Sequence, residues 1–144
     1  MNVEQKVPTK LYVLGLLLGG IQGNMLFAFY NIVTENQTAL AVGFSSAICA
    51  GIGIIVADML IQSILRGNLK VGLYRILFVV GYVIIMSLLP GVDIWGHIGG
   101  LFSGFLITMS FISCWDKEEI RKVTIFSRVI FVLYTILLFS IFMT

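Results

Sequence analysis

The sequence predicts an all-α integral membrane protein, a helical bundle of about five transmembrane helices forming a single polytopic domain over residues 1–144. Three observations predict it. Hydrophobic residues make up 59% of the chain and charged residues 11%, whereas a soluble domain keeps about a quarter of its residues charged. Mean hydropathy is +1.06, and apolar runs long enough to cross a bilayer fill nearly the whole chain. The nine basic residues also all fall on one side of a five-span arrangement. The net charge of +2 does not point to nucleic acid, because the basic residues mark membrane ends. The two cysteines, Cys49 and Cys114, lie in or at the end of apolar runs, so neither a disulfide framework nor metal-ligand spacing is expected. The first ten residues are polar and the run after them is span-length, so no cleavable signal peptide is expected.

Lys10 and Glu35 bound a first uncharged run of 24 residues, read as a span at about 11–32. Gly15, Gly19 and Gly23 recur at fourth positions within it and line one helix face, which lets a neighbouring backbone approach closely. Gln22 and Asn24 lie in the same segment; for Asn24 a helix-to-helix hydrogen bond is expected. A polar link, TENQT, contains the acceptor pattern Asn36-Gln37-Thr38, expected to stay unmodified because it lies so close to the membrane. The second span, at about 38–64, carries Gly43, Ala47 and Gly51 as a further small-residue seam, and Asp58 late in the run reads as an acid near the interface. A basic link, RGNLK, leads to a third span near 71–89 that ends before Pro90, with Arg75 snorkelling to the surface.

The fourth span, about 92–114, holds the one histidine of the chain, His97. Asp93 and Asp116 bracket its 22 uncharged residues. Trp95 and Trp115 lie 20 residues apart, a rise of roughly 30 Å at about 1.5 Å per residue, which sets an indole at each interface. Gly96, Gly100 and Gly104 form its packing seam. A fifth span follows the charged link DKEEIRK at about 124–143, with Arg128 snorkelling. All nine basic residues, Lys6, Lys10, Arg66, Lys70, Arg75, Lys117, Arg121, Lys122 and Arg128, then lie on one side of five spans. By the positive-inside rule the N-terminus is cytosolic and the C-terminus lumenal or extracellular. Which membrane holds the protein, and its oligomeric state, are not encoded in this pattern.

A titratable ring beside a close helix contact within lipid marks a functional site by default. Ser45 and His97 enter their spans from the same side, at matching depths of roughly 8–11 Å. A neutral histidine is the usual base that makes a serine nucleophilic. Asp93, one turn before His97, more naturally caps the helix. From spacing alone, a structural hydrogen bond and a buried neutral histidine compete with a serine–histidine pair.

Three segments in order sharpen the choice. AVGFSSAICAGIG resembles the nucleophile segment of rhomboid intramembrane proteases, a glycine (Gly43), any residue, then serine (Ser45). VDIWGHIGGLFSGFL resembles the histidine span of that family, with glycines three and seven residues after His97. GGIQGN resembles the span preceding the nucleophile helix in the eukaryotic six-plus-one-span branch, which the extra C-terminal span also fits. The resemblance covers about residues 11–143. It implies a serine endopeptidase that cleaves transmembrane segments, with Ser45 as nucleophile and His97 as general base and then acid. It implies no cofactor and no metal; the partners would be transmembrane protein substrates or clients within the lipid bilayer.

The chain also departs from the family. Rhomboids have two further spans ahead of the first one seen here, and the second of those carries histidine and asparagine side chains that help bind the oxyanion. Losing one such donor costs on the order of 100- to 1,000-fold in rate, so this chain as written is expected to be a poor enzyme, a truncated or partial gene product being the simplest account. Ser46 stands where the family usually has glycine, and Cys49 where an aromatic ring usually packs on the histidine. These departures favour the competing reading, a rhomboid-like protein that holds transmembrane clients without cutting them. A small transporter or channel subunit is the third reading, with Asp58 and His97 as its only pathway candidates.

Overall fold

The structure, a computed structural model, describes residues 9–35, 44–89, 92–111 and 118–143. They form five helices, each long and apolar enough to cross a membrane: α1 (Thr9–Val33), α2 (Phe44–Leu65), α3 (Leu69–Ser87), α4 (Ile94–Phe111) and α5 (Glu118–Met143). The protein is a multi-pass membrane protein. Helices are what such apolar runs must form, because lipid offers no partner for an unpaired N–H or C=O. Large side chains such as Leu17, Tyr74, Leu77 and Phe78 lie exposed on the outside of the bundle, as lipid contact requires.

The buried faces of α1, α2 and α4 are made of small residues rather than large ones. A methyl group built on Gly100 would strike the Ser46 carbonyl, and one on Gly104 the Ala50 carbonyl. One on Gly53 would meet the Leu101 carbonyl in return. At Gly23 it would come within 2.7 Å of the Gly96 carbonyl oxygen and 2.8 Å of the Gly100 nitrogen. The three helices thus touch backbone to backbone, with Gly19 and Ala50 continuing the same contact one turn along. Away from this region the packing reverts to ordinary large side chains: Ala57, Ile61, Met109 and Ile120 form a buried cluster with Leu60, Phe105 and Val123 against it.

The turns are built by local chemistry. Gly67 adopts φ +67° just beyond α2, its N–H reaching the Ile64 carbonyl at 3.2 Å and that of Asn68 the Ser63 carbonyl at 3.0 Å. This is a Schellman ending, which a glycine in the left-handed region makes possible without a Cβ clash. It turns the chain straight into α3, where Gly72 accommodates the Ser63 side chain. α3 is otherwise thinly held; its buried residues are Gly72, Val83 and Ser87.

The small residues of α2 serve two neighbours: Ala47 packs on Gly20, and Gly51 lies nearest Leu16 and Tyr12, all three of them on α1. The α2 face that meets α4 is Ser46, Ala50 and Gly53, spaced four and then three apart. One boundary is revised. α5 begins six residues earlier than expected, at Glu118, so Arg128 lies well inside it and donates from Nε to the Ser110 carbonyl at 2.6 Å. Gln22 adds a second tie to α5 through the Thr135 hydroxyl at 2.8 Å. Gly43, the Asn36-Gln37-Thr38 pattern, Cys114 and Trp115 lie outside the described residues.

Because carbonyls cannot move aside as a flexible side chain can, Gly100→Ala and Gly104→Ala should each lower stability by about 1–3 kcal/mol despite alanine's better helix propensity. Gly81→Ala, where an added Cβ meets nothing within 4 Å, should be neutral or stabilising by up to about 1 kcal/mol. Thermal unfolding of the three variants in detergent micelles checks both expectations.

Candidate functional site

Up-and-down connection brings the end of α1, the start of α2, the end of α3 and the start of α4 to one end of the bundle. Ser45, Ser46, Asn24, His97, Asp93 and Ser87 collect there. Ser45 lies half-buried in the first turn of α2. Ser46, beside it, is 1% exposed and donates its hydroxyl proton to Asn24 Oδ1 at 3.0 Å. That bond crosses from α2 to α1, the helix-to-helix role expected of Asn24. Gly23 next to Asn24 makes the approach possible, since a Cβ there would sit 2.9 Å from Ser46 Cβ.

His97 lies half-buried in the first turn of α4. Its entry is fixed by Asp93, which accepts the Gly96 N–H on Oδ1 at 2.9 Å, while the Asp93 carbonyl accepts the His97 N–H at 3.2 Å. Asp93 is therefore the N-cap of α4. Burial pushes its carboxyl above the ordinary carboxylate range, against the opposing pull of the Gly96 N–H, the His97 charge and the Trp95 N–H. Gly96 has no room for a side chain: a methyl there would run into the Asp93 carboxylate and come within 2.8 Å of Ser46 Oγ. Trp95 stacks on Tyr30 from α1, ring centroids 4.8 Å apart and planes tilted by 30°, so this indole is anchored as well as interfacial.

The imidazole has a partner that spacing did not indicate. His97 Nδ1 lies 2.8 Å from the hydroxyl of Ser87, the last residue of α3. Ser87 is 3% exposed and also reaches the Val83 carbonyl at 2.7 Å. Its position ten residues before His97 and three before Pro90 was the only signal available, and it reads as a span end. Cys49, one turn beyond Ser45, is buried as a free thiol. Asp58 does not join this cluster. It lies 13 residues beyond Ser45 on α2, about 20 Å along the helix, where Gln62 donates to its Oδ2 at 3.1 Å. A polar recess there is shared with Arg66 and Arg75.

An apolar groove of about 680 Å³ runs between α1 and α2, lined by residues that include Tyr12, Leu16, Gly20, Asn24, Phe44 and Ala47. Neither Ser45 nor His97 lines it. No group of three or more His, Cys, Asp or Glu able to hold a metal ion occurs among the described residues.

Comparison with known proteins fixes the family. The Rhomboid domain model matches residues 1–114, which takes in α1 to α4 and stops before α5. The chain is a member of the rhomboid family. Similar proteins of Arabidopsis thaliana are RHOMBOID-like protein 7, 33% identical over 91 residues, and RHOMBOID-like protein 1, 28% identical over 101 residues. RHOMBOID-like protein 6, mitochondrial, is 30% identical over 91 residues. The aligned parts are 63%, 69% and 63% of this chain but 28%, 25% and 28% of those proteins, so it spans only about a quarter of their length. No solved structure matches. Rhomboids include serine intramembrane proteases, and in this member the half-buried serine and the histidine stand at the starts of α2 and α4.

Two cap variants test the geometry of this end. Asp93→Ala removes the acceptor of the Gly96 N–H and should cost about 1 kcal/mol, whereas Asp93→Asn keeps an acceptor oxygen. Because burial raises the folded-state carboxyl, the folded chain holds that proton more tightly than the unfolded one. Wild-type stability should then fall as pH rises from the ordinary carboxylate value through the raised one, and level off above it. Asp93→Asn should lack that dependence and match or exceed the wild type at neutral pH, as read by unfolding midpoints across a pH series. Ser46→Ala, which takes a donor from Asn24 across the α1–α2 contact, should cost about 1 kcal/mol in the same assay.

Proposed function

We propose that this rhomboid is a serine-type intramembrane endopeptidase that cleaves transmembrane segments of membrane proteins through Ser45 and His97. The observation that carries the reading is the locked approach of α2 and α4. Gly100 lies against the backbone of Ser46, one residue after the nucleophile and three after the histidine, so both first turns are held at fixed depth relative to one another. The RHOMBOID-like relatives and the three segments in family order support it.

In this mechanism His97 accepts the Ser45 hydroxyl proton as Ser45 Oγ bonds to the carbonyl carbon of a peptide in an unwound substrate segment. The tetrahedral oxyanion collapses, the C–N bond breaks, and His97 passes the proton to the leaving amine. Water, deprotonated by His97, then releases the acyl group and returns the proton to Ser45. The Ser45 backbone N–H would be one oxyanion donor, since the first turn of a helix favours negative charge. The distribution of basic residues supports a cytosolic N-terminus, with this end of the bundle on the outer or lumenal side. The presence of α5 beyond the matched residues is what supports placing the chain in the six-plus-one-span branch.

A second reading, a rhomboid that holds transmembrane clients without cutting them, draws on two observations. Ser46 replaces a glycine and is fixed on Asn24, and Cys49 fills the position from which an aromatic ring would pack on the imidazole.

A serine-directed fluorophosphonate probe separates the two. In membranes, the chain should become labelled, and both Ser45→Ala and His97→Ala should abolish the label. A well-folded chain that takes no label would overturn the protease reading and leave the client-holding one.

A further inference from the structure

We propose that Ser87, at the end of α3, is a positioning residue that sets the tautomer and ring orientation of His97. The argument is a proton count. A serine hydroxyl has one hydrogen to give and two lone pairs to receive with. Ser87 Oγ lies 2.7 Å from the Val83 carbonyl oxygen, which has no hydrogen and can only accept. The hydroxyl hydrogen is therefore committed to Val83. The 2.8 Å contact with His97 Nδ1 must then be donated from the ring, with Ser87 Oγ as acceptor. A neutral His97 held this way carries its proton on Nδ1 and its lone pair on Nε2.

That is the form a general base needs if its working nitrogen is Nε2. Free imidazole side chains do not choose it on their own, so a partner has to impose it. In soluble serine proteases a buried carboxylate holds Nδ1–H in this way. Here the nearby carboxylate, Asp93, is occupied as the cap of α4 through the Gly96 N–H. A neutral hydroxyl, backed by a helix carbonyl, takes that place. Ser87 also survives the catalytic cycle unchanged. When Nε2 gains a proton, Nδ1–H remains a donor and Ser87 remains its acceptor, so the ring need not turn between the two proton transfers. Burial supports the role: at 3% exposed, Ser87 meets little competing water, and an unpaired Nδ1–H there would be left without an acceptor.

This assignment gives Ser87 a purpose that rests on the Ser45–His97 reading, but its core claim is spectroscopic and can be tested apart from catalysis. His97 is the only histidine in the sequence, so protein grown with ¹⁵N-histidine and purified on a histidine-free tag reports one imidazole without assignment. The measurement is made at a pH about two units above the free-imidazole value. The wild type should show a protonated, pyrrole-type Nδ1 and an unprotonated, pyridine-type Nε2. Ser87→Ala should shift the ring towards the tautomer protonated on Nε2, and Ser87→Thr, which keeps the hydroxyl, should restore the wild-type pattern.

A pyridine-type Nδ1 in the wild type overturns the proposal outright, even if Ser87→Ala fails to fold; so does an unchanged spectrum in a folded Ser87→Ala. In the fluorophosphonate assay, Ser87→Ala should label on the order of ten- to a hundredfold more slowly, with rescue by Ser87→Thr. If the wild type takes no label, the protease reading fails while the nitrogen spectrum still decides the role of Ser87.

Discussion

Backbone contact between α1, α2 and α4 is the constraint on which the rest of this membrane protein depends. Lipid chains are as apolar as leucine, so burying large side chains gains little there, and helix association has to come from close packing. Gly23, Gly53, Gly100 and Gly104 provide it by removing side chains where helices cross, so that carbonyls and Cα atoms pack directly. The contact is rigid because its atoms belong to hydrogen-bonded helices. Two such helices cannot slide without driving a carbonyl into a neighbouring Cα.

The end of the bundle that holds Ser45 and His97 inherits that rigidity. Ser46 is pressed against Gly100 and bonded to Asn24, so Ser45, one residue earlier, has no freedom of depth relative to His97. Asp93 fixes where α4 begins. α3, whose own packing is thin, meets the site through the Ser87 hydroxyl on the His97 ring. Three kinds of interaction therefore act at one end: steric contact for depth, a helix cap for register, and a hydrogen bond for the orientation of a single ring. None of them substitutes for another.

The extent of the family match has a structural counterpart. Residues 1–114 carry the glycine contacts and all the polar groups gathered around His97. α5 lies outside the match and joins the bundle by ordinary side-chain contacts: Ile120 in the apolar cluster, Arg128 on the Ser110 carbonyl, Gln22 on Thr135, and the edge-to-face pair of Phe102 and Tyr134.

The sequence by itself determined the class and the number of helices, because composition and the length of apolar runs are enough to force helices in lipid. It also marked α1, α2 and α4 as the helices that come close, since glycines at fourth positions share a face, and it identified Asp93 as a cap and Asn24 as a helix-to-helix donor or acceptor. Tertiary structure decided which way each face points. Spacing defines a stripe along a helix but not the neighbour it turns towards, so the stripe through Ala47 and Gly51 went to α1 and the less regular one through Ser46, Ala50 and Gly53 went to α4. For the same reason Ser87 was illegible: a serine at the end of a span reads as an interface residue until the fold sets it 2.8 Å from the histidine of another helix.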